Sequence, residues 1–128
     1  MEETKIGLVL EGGGMRGVYT AGVLDAFLDA GLEFDGTLGV SAGSCHAASF
    51  LSKQRGRAYR VNVSYLNDWR YCSVRSWLTT GDFFGVKMLY DTIPNQLDLY
   101  DHAAFAQRRG WFRAVVTNLA SGEAEYPL

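Results

Sequence analysis

Cysteine is scarce in this chain. Cys45 and Cys72 are the only two, and their spacing suits neither a metal site nor a disulfide framework. No apolar run approaches the ~18 residues of a membrane-spanning helix, and no charged-then-apolar signal segment opens the chain. The expectation is a cytoplasmic protein without a membrane span. Internal repeats and low-complexity tracts are absent as well. The net charge of −2 is too small to suggest a nucleic-acid partner. Only two prolines stand against fifteen glycines. Glycine in such excess marks tight turns or places where backbone must approach something closely. With 128 residues, 48% hydrophobic and 20% charged, the composition fits one soluble globular domain.

The charge is unevenly spread. Residues 1–52 hold two basic and seven acidic groups. Residues 53–77 hold six basic groups (Lys53, Arg55, Arg57, Arg60, Arg70, Arg75) and one acid, Asp68. Tyr59, Tyr65, Trp69, Tyr71 and Trp77 interleave with them. Two readings stand: a basic, aromatic surface for anionic lipid, or a solvated helical face whose aromatics fill the core.

Lys5 to Leu10 is a short apolar run that stops at glycines and predicts a buried strand. From Val18 to Ala30 the apolar residues recur at helical spacing, and Gly31 stands where a left-handed cap belongs. Phe34 to Val40 predicts a second strand, Ser41 a sharp turn and Ala42 to Leu51 a helix. This is the rhythm of a parallel α/β sheet. Beyond it, Gly56 to Asn67 could be helical, and Thr80-Gly81-Asp82 is a turn. Asp101 caps a helix from His102 to Arg108. Phe112 to Asn118 is strand-like, Ser121-Gly122 a hairpin tip and Ala124 to Leu128 its returning arm.

Two motifs carry chemistry. Gly39-Val40-Ser41-Ala42-Gly43 is a G-x-S-x-G sequence between strand and helix. A serine on so tight a turn is strained and pushed out above the sheet edge. Residues two away are crowded, so glycines 39 and 43 relieve a clash. The helix N-terminus adds partial positive charge beside the hydroxyl. The second motif is Gly12-Gly13-Gly14-Met15-Arg16-Gly17, also between strand and helix. Its consecutive N–H groups can point at one anion, such as the oxyanion of acyl transfer. Arg16 adds charge or holds the loop in shape. The same loop matches the dinucleotide fingerprint G-x-G-x-x-G, which makes a nucleotide-binding α/β module the alternative. That fingerprint wants an acid at the C-terminal end of the second strand, and Glu33 and Asp35 precede the strand instead.

The paired motifs resemble those of the patatin-like phospholipases, bacterial members especially, whose signatures are G-G-G-x-R-G and G-x-S-x-G. The likeness is strongest over residues 6–50. A weaker likeness runs through Thr80-Gly81, Leu97 to Phe105, and Phe112 to Tyr126. The resemblance implies an α/β, parallel-sheet, three-layer fold related to the α/β-hydrolases, with residues 1–128 as the N-terminal part of a single domain. It implies a Ser–Asp dyad hydrolysing lipid acyl esters, with Ser41 as nucleophile and Gly12, Gly13 and Gly14 as oxyanion donors. No cofactor or metal is implied. The family's aspartate lies in an Asp-Gly-Gly or Asp-Gly-Ala motif well beyond the serine. Here Asp35-Gly36 precedes the serine, and Asp68, Asp82, Asp91, Asp98 and Asp101 have no motif context. The expectation is a partial chain whose dyad aspartate lies beyond residue 128 and whose terminal strand edge invites self-association. His46 and His102 are expected to be structural, and Cys45 a small buried helix residue.

Overall fold

The computed structural model describes residues 4–127. Its sheet has four strands in the order β1 (Gly7–Leu10), β2 (Gly36–Val40), β3 (Trp111–Thr117) and β4 (Ala124–Glu125). The first three run parallel, with Leu10 opposite Gly39 and Gly39 opposite Ala114. Strand β4 returns antiparallel through a turn in which Gly122 takes φ 74°. Of the predicted arm 124–128, only Ala124 and Glu125 pair, and Leu128 lies outside the described residues.

The helices between β1 and β2 are a 3₁₀ turn, Gly14–Gly17, and α1 (Val18–Asp29). Helix α1 ends where its glycine predicts. Gly31 adopts φ 67°, its N–H bonds Leu28 O, and the Leu32 N–H bonds Phe27 O. Those are the two hydrogen bonds of a Schellman cap. After β2 come α2 (Ala42–Leu51), α3 (Arg57–Val63) and α4 (Val74–Thr80). A π-helix over Met88–Leu97 follows, then α5 (His102–Ala106). The predicted helix 56–67 is shorter, and α4 and the π-helix were not foreseen. Pro94 lies inside the π-helix and supplies no N–H; the Asp98 N–H reaches five residues back to Ile93 O. Asp101 caps α5 as expected, its Oδ1 accepting from the Ala104 N–H at 2.8 Å.

Successive right-handed connections that move one way across a parallel sheet place their helices on one face. Here Leu8, Leu10 and Phe112 turn to that face and pack with Leu24, Phe27, Ala47, Phe50 and Leu51. The opposite face carries Val9, Val40 and Trp111, all exposed. Of three expected layers, the described residues therefore build the sheet and one helical layer. This also corrects the expectation of a buried first strand. Strand β1 is the outer strand, only its Leu10 is buried, and Val9 is 72% exposed. A second cluster joins Tyr71, Met88 and Ile93 with Met15 of the glycine loop. No helix among the described residues is long and apolar enough to cross a membrane.

Candidate active site

Parallel strands end on the same sheet edge, so the loops after β1 and β2 share it. The first loop holds Gly12, Gly13 and Gly14; the second turn is Ser41. Ser41 has φ 51° and ψ −124°, a conformation that costs a residue with a Cβ about 1–3 kcal/mol. Its carbonyl caps α2 by accepting from the N–H groups of Ser44 (2.9 Å) and Cys45 (3.4 Å). The side chain is left exposed at the helix N-terminus. Ser41→Gly should accordingly be more stable than Ser41→Ala by about 1 kcal/mol in urea unfolding.

The flanking glycines are required by contact. A Cβ on Gly39 would lie 2.6 Å from Ser44 Cα, and one on Gly43 2.6 Å from Glu11 O and against the Leu10 carbonyl. A Cβ on Gly12 would sit 3.1 Å from that of Ser41. The glycine loop and the serine turn are thus neighbours. Gly17 lets the start of α1 close on α2, since a Cβ there would meet His46 Nε2 at 2.8 Å. Gly14 adopts φ 53°, and Gly13 O accepts from the Arg16 N–H at 3.1 Å. Among the described residues, nothing accepts from the N–H groups of Gly12, Gly13 or Gly14. The same holds for Ala42, which the sequence reading did not single out. The signal was its place directly after the serine. The Arg16 side chain is exposed and makes no ion pair among the described residues.

His46 is buried and does not reach Ser41. Its Nε2 accepts from Asn62 Nδ2 at 2.9 Å, because the Asn62 amide is a donor there. Its Nδ1 therefore carries the proton and donates to Ala42 O at 3.1 Å. Burial pushes its pKa below the usual 6.5. The folded state holds a neutral ring while the unfolded chain takes up a proton. Stability from this site is complete above about pH 6.5 and falls as the pH drops through that value toward the lower folded pKa. Urea midpoints between pH 5 and 7 should decline on acidification in the native protein, and less in His46→Gln.

Cys45 corrects an expectation, because it is exposed. It lies one helical turn after Ser41 on the same face. Protein packed around the sulfur nonetheless raises the thiol pKa.

No carboxylate or imidazole among the described residues hydrogen-bonds Ser41. Asp35 stands at the opposite end of β2, held by the Ile6 N–H and Arg109. Asp68 pairs with Arg70, Asp98 with Arg57 and Arg60, and Asp91 accepts from Asn95. The basic stretch is likewise engaged. Lys53 pairs with Glu33 at 2.8 Å and Arg55 with Asp29 at 2.6 Å, leaving Arg75 as its one cation without an ion pair among the described residues. No cluster of three His, Cys, Asp or Glu among the described residues is placed to hold a metal ion.

A strained serine between a parallel strand and a helix, faced by a glycine loop on the neighbouring strand, defines an α/β protein with the backbone layout of the serine hydrolases. The dinucleotide reading lacks its acid, since Val40 and Ser41 occupy the end of β2. The family model described as Patatin-like phospholipase matches residues 8–124. The chain belongs to that family. It is 35% identical over 96 residues to the Uncharacterized protein YjjU of Escherichia coli (strain K12), a stretch covering 74% of this chain and 27% of that protein. The chain thus spans well under half of that relative's length. No solved structure matches it.

Proposed function

We propose that the protein is a serine hydrolase of lipid acyl esters, of phospholipase A or esterase type, with Ser41 as nucleophile. The observation that carries this reading is the Ser41 backbone at φ 51°, ψ −124°, with Gly12 against its side chain.

In the proposed reaction Ser41 Oγ attacks the ester carbonyl carbon and gives its proton to a base. The carbonyl oxygen becomes an oxyanion, held by N–H groups of Gly12, Gly13, Gly14 and Ala42. Each such donor is worth about 3 kcal/mol in the transition state. Collapse breaks the ester C–O bond, and the leaving alcohol takes the proton, which leaves an acyl-enzyme. The base then deprotonates water, water attacks the acyl carbon, and the carboxylic acid departs as Ser41 recovers its proton. Arg16 and Gly17 support the loop. The base, by family resemblance, is an aspartate; we place it outside these 128 residues, because no aspartate among the described residues hydrogen-bonds Ser41. We further propose a cytoplasmic, membrane-peripheral enzyme. Its open strand edges, β1 and the outer side of β3 up to Val115, also favour self-association.

The test is release of fatty acid from glycerophospholipid and from a soluble ester by the native protein and by Ser41→Ala. Loss of both activities in the variant supports the reading; retained hydrolysis defeats it.

A further inference from the structure

Helix α4 is built inside out. Ser76 is buried, its Oγ donating to Asp82 O at 2.8 Å, and Thr80 Oγ1 donates back to Ser76 O at 2.8 Å. Val74, Trp77 and Leu78, at i, i+3 and i+4, face solvent, with Leu78 74% exposed. Phe83, Phe84 and Val86 extend the exposed apolar surface along the following loop. Apolar side chains gathered on one helix stripe and its adjoining loop mark a surface that meets another phase or partner.

Charge says which. Arg75 lies over the Trp69 ring at 4.3 Å, and neither Arg75 nor Lys87 makes an ion pair among the described residues. Of the acids between them and just beyond, Asp82 and Asp91, neither makes an ion pair among the described residues, and Asp91 accepts from Asn95. A crevice of 490 Å³ lined by Trp69, Arg70, Thr80 and Lys87 opens next to the stripe. Aromatic and aliphatic tips bordered by free cations complement a bilayer with phosphate at its surface and acyl chains beneath.

The patch also lies beside the candidate active site. Tyr90, just past Lys87, lies near Cys45, one turn from Ser41. Met88 and Tyr71 pack with Met15 of the glycine loop. We infer that α4 and the loop to the π-helix, residues 74–87, dock the protein on an anionic phospholipid bilayer with Ser41 next to the lipid. The inference rests on the lipid-hydrolase reading only for what the docking serves; binding itself needs no catalysis.

Flotation with phosphatidylcholine–phosphatidylglycerol vesicles tests it. The native protein and Ser41→Ala should float equally. The double variant Trp77→Ser, Leu78→Ser should lose about tenfold or more in vesicle affinity. Arg75→Glu and Lys87→Glu should each lose about fivefold. All four side chains are at the surface, and circular dichroism should be unchanged. Absence of flotation, or flotation indifferent to these substitutions, overturns the proposal. So does a dimer that the double variant dissociates while flotation stays the same. Flotation by a protein whose Ser41 proves inert would sink the hydrolase reading and leave the docking surface standing.

Discussion

Gly43→Ala should destabilise the protein by about 3 kcal/mol or more, at the severe end of what overpacking costs. The added methyl group meets backbone, not a side chain that can swing away. The Leu10 carbonyl and Glu11 O, the latter 2.6 Å from the new carbon, belong to the end of β1 and the start of the glycine loop. To make room, α2 must back away from β1, which also parts Gly12 from Ser41. Gly22→Ala is the contrast. Gly22 lies within α1 with open space around it, so alanine there should stabilise by up to about 1 kcal/mol. Urea unfolding of the two variants should show midpoints moving in opposite directions. Equal shifts would mean that the tight fit of α2 against β1 is wrong.

The second large effect concerns rate. A serine hydroxyl without a base is a weak nucleophile at neutral pH, and a positioned general base typically contributes about 10²–10⁴-fold. This 128-residue chain should therefore hydrolyse soluble esters slower by about that factor than a form of the protein that supplies the aspartate. Formate, added as a substitute base, should raise the rate of the chain and do nothing for Ser41→Ala. Alanine at Asp35, Asp68, Asp82, Asp91, Asp98 or Asp101 should leave the low rate unchanged. A full rate that collapses on one of those substitutions would locate the base within the chain and contradict the proposal.

The backbone of the candidate site was largely legible because its requirements are local. Gly39 and Gly43 are dictated by atoms five residues away or at the end of the adjoining strand, and the motif around Ser41 states them directly. The Gly31 cap and the Asp101 cap were legible for the same reason. What escaped depends on partners far along the chain. The basic stretch 53–77 reads as a cationic surface in isolation, yet Glu33 and Asp29 come from the acidic first third to neutralise Lys53 and Arg55. The apolar run ending at Leu10 reads as buried, yet β1 is an outer strand with one face bare. Cys45 is small and helical, as buried cysteines often are, but shares the exposed face of Ser41. Helix α4 hides Ser76 and shows Trp77 and Leu78, reversing the rule by which sequence patterns assign an inside.

The central claim is that Ser41 is the nucleophile, and covalent capture tests it most directly. A fluorophosphonate reacts with a serine that is both exposed and activated; phosphorus bonds to Oγ and fluoride leaves. Incubation followed by peptide mass spectrometry should place a single phosphonyl group on the peptide carrying Ser41. Ser44 and Ser49, on the same helix, should stay unmodified, and Ser41→Ala should take up none. A Ser41→Ala protein labelled as fully as the native one, or an adduct at another serine, would contradict the account.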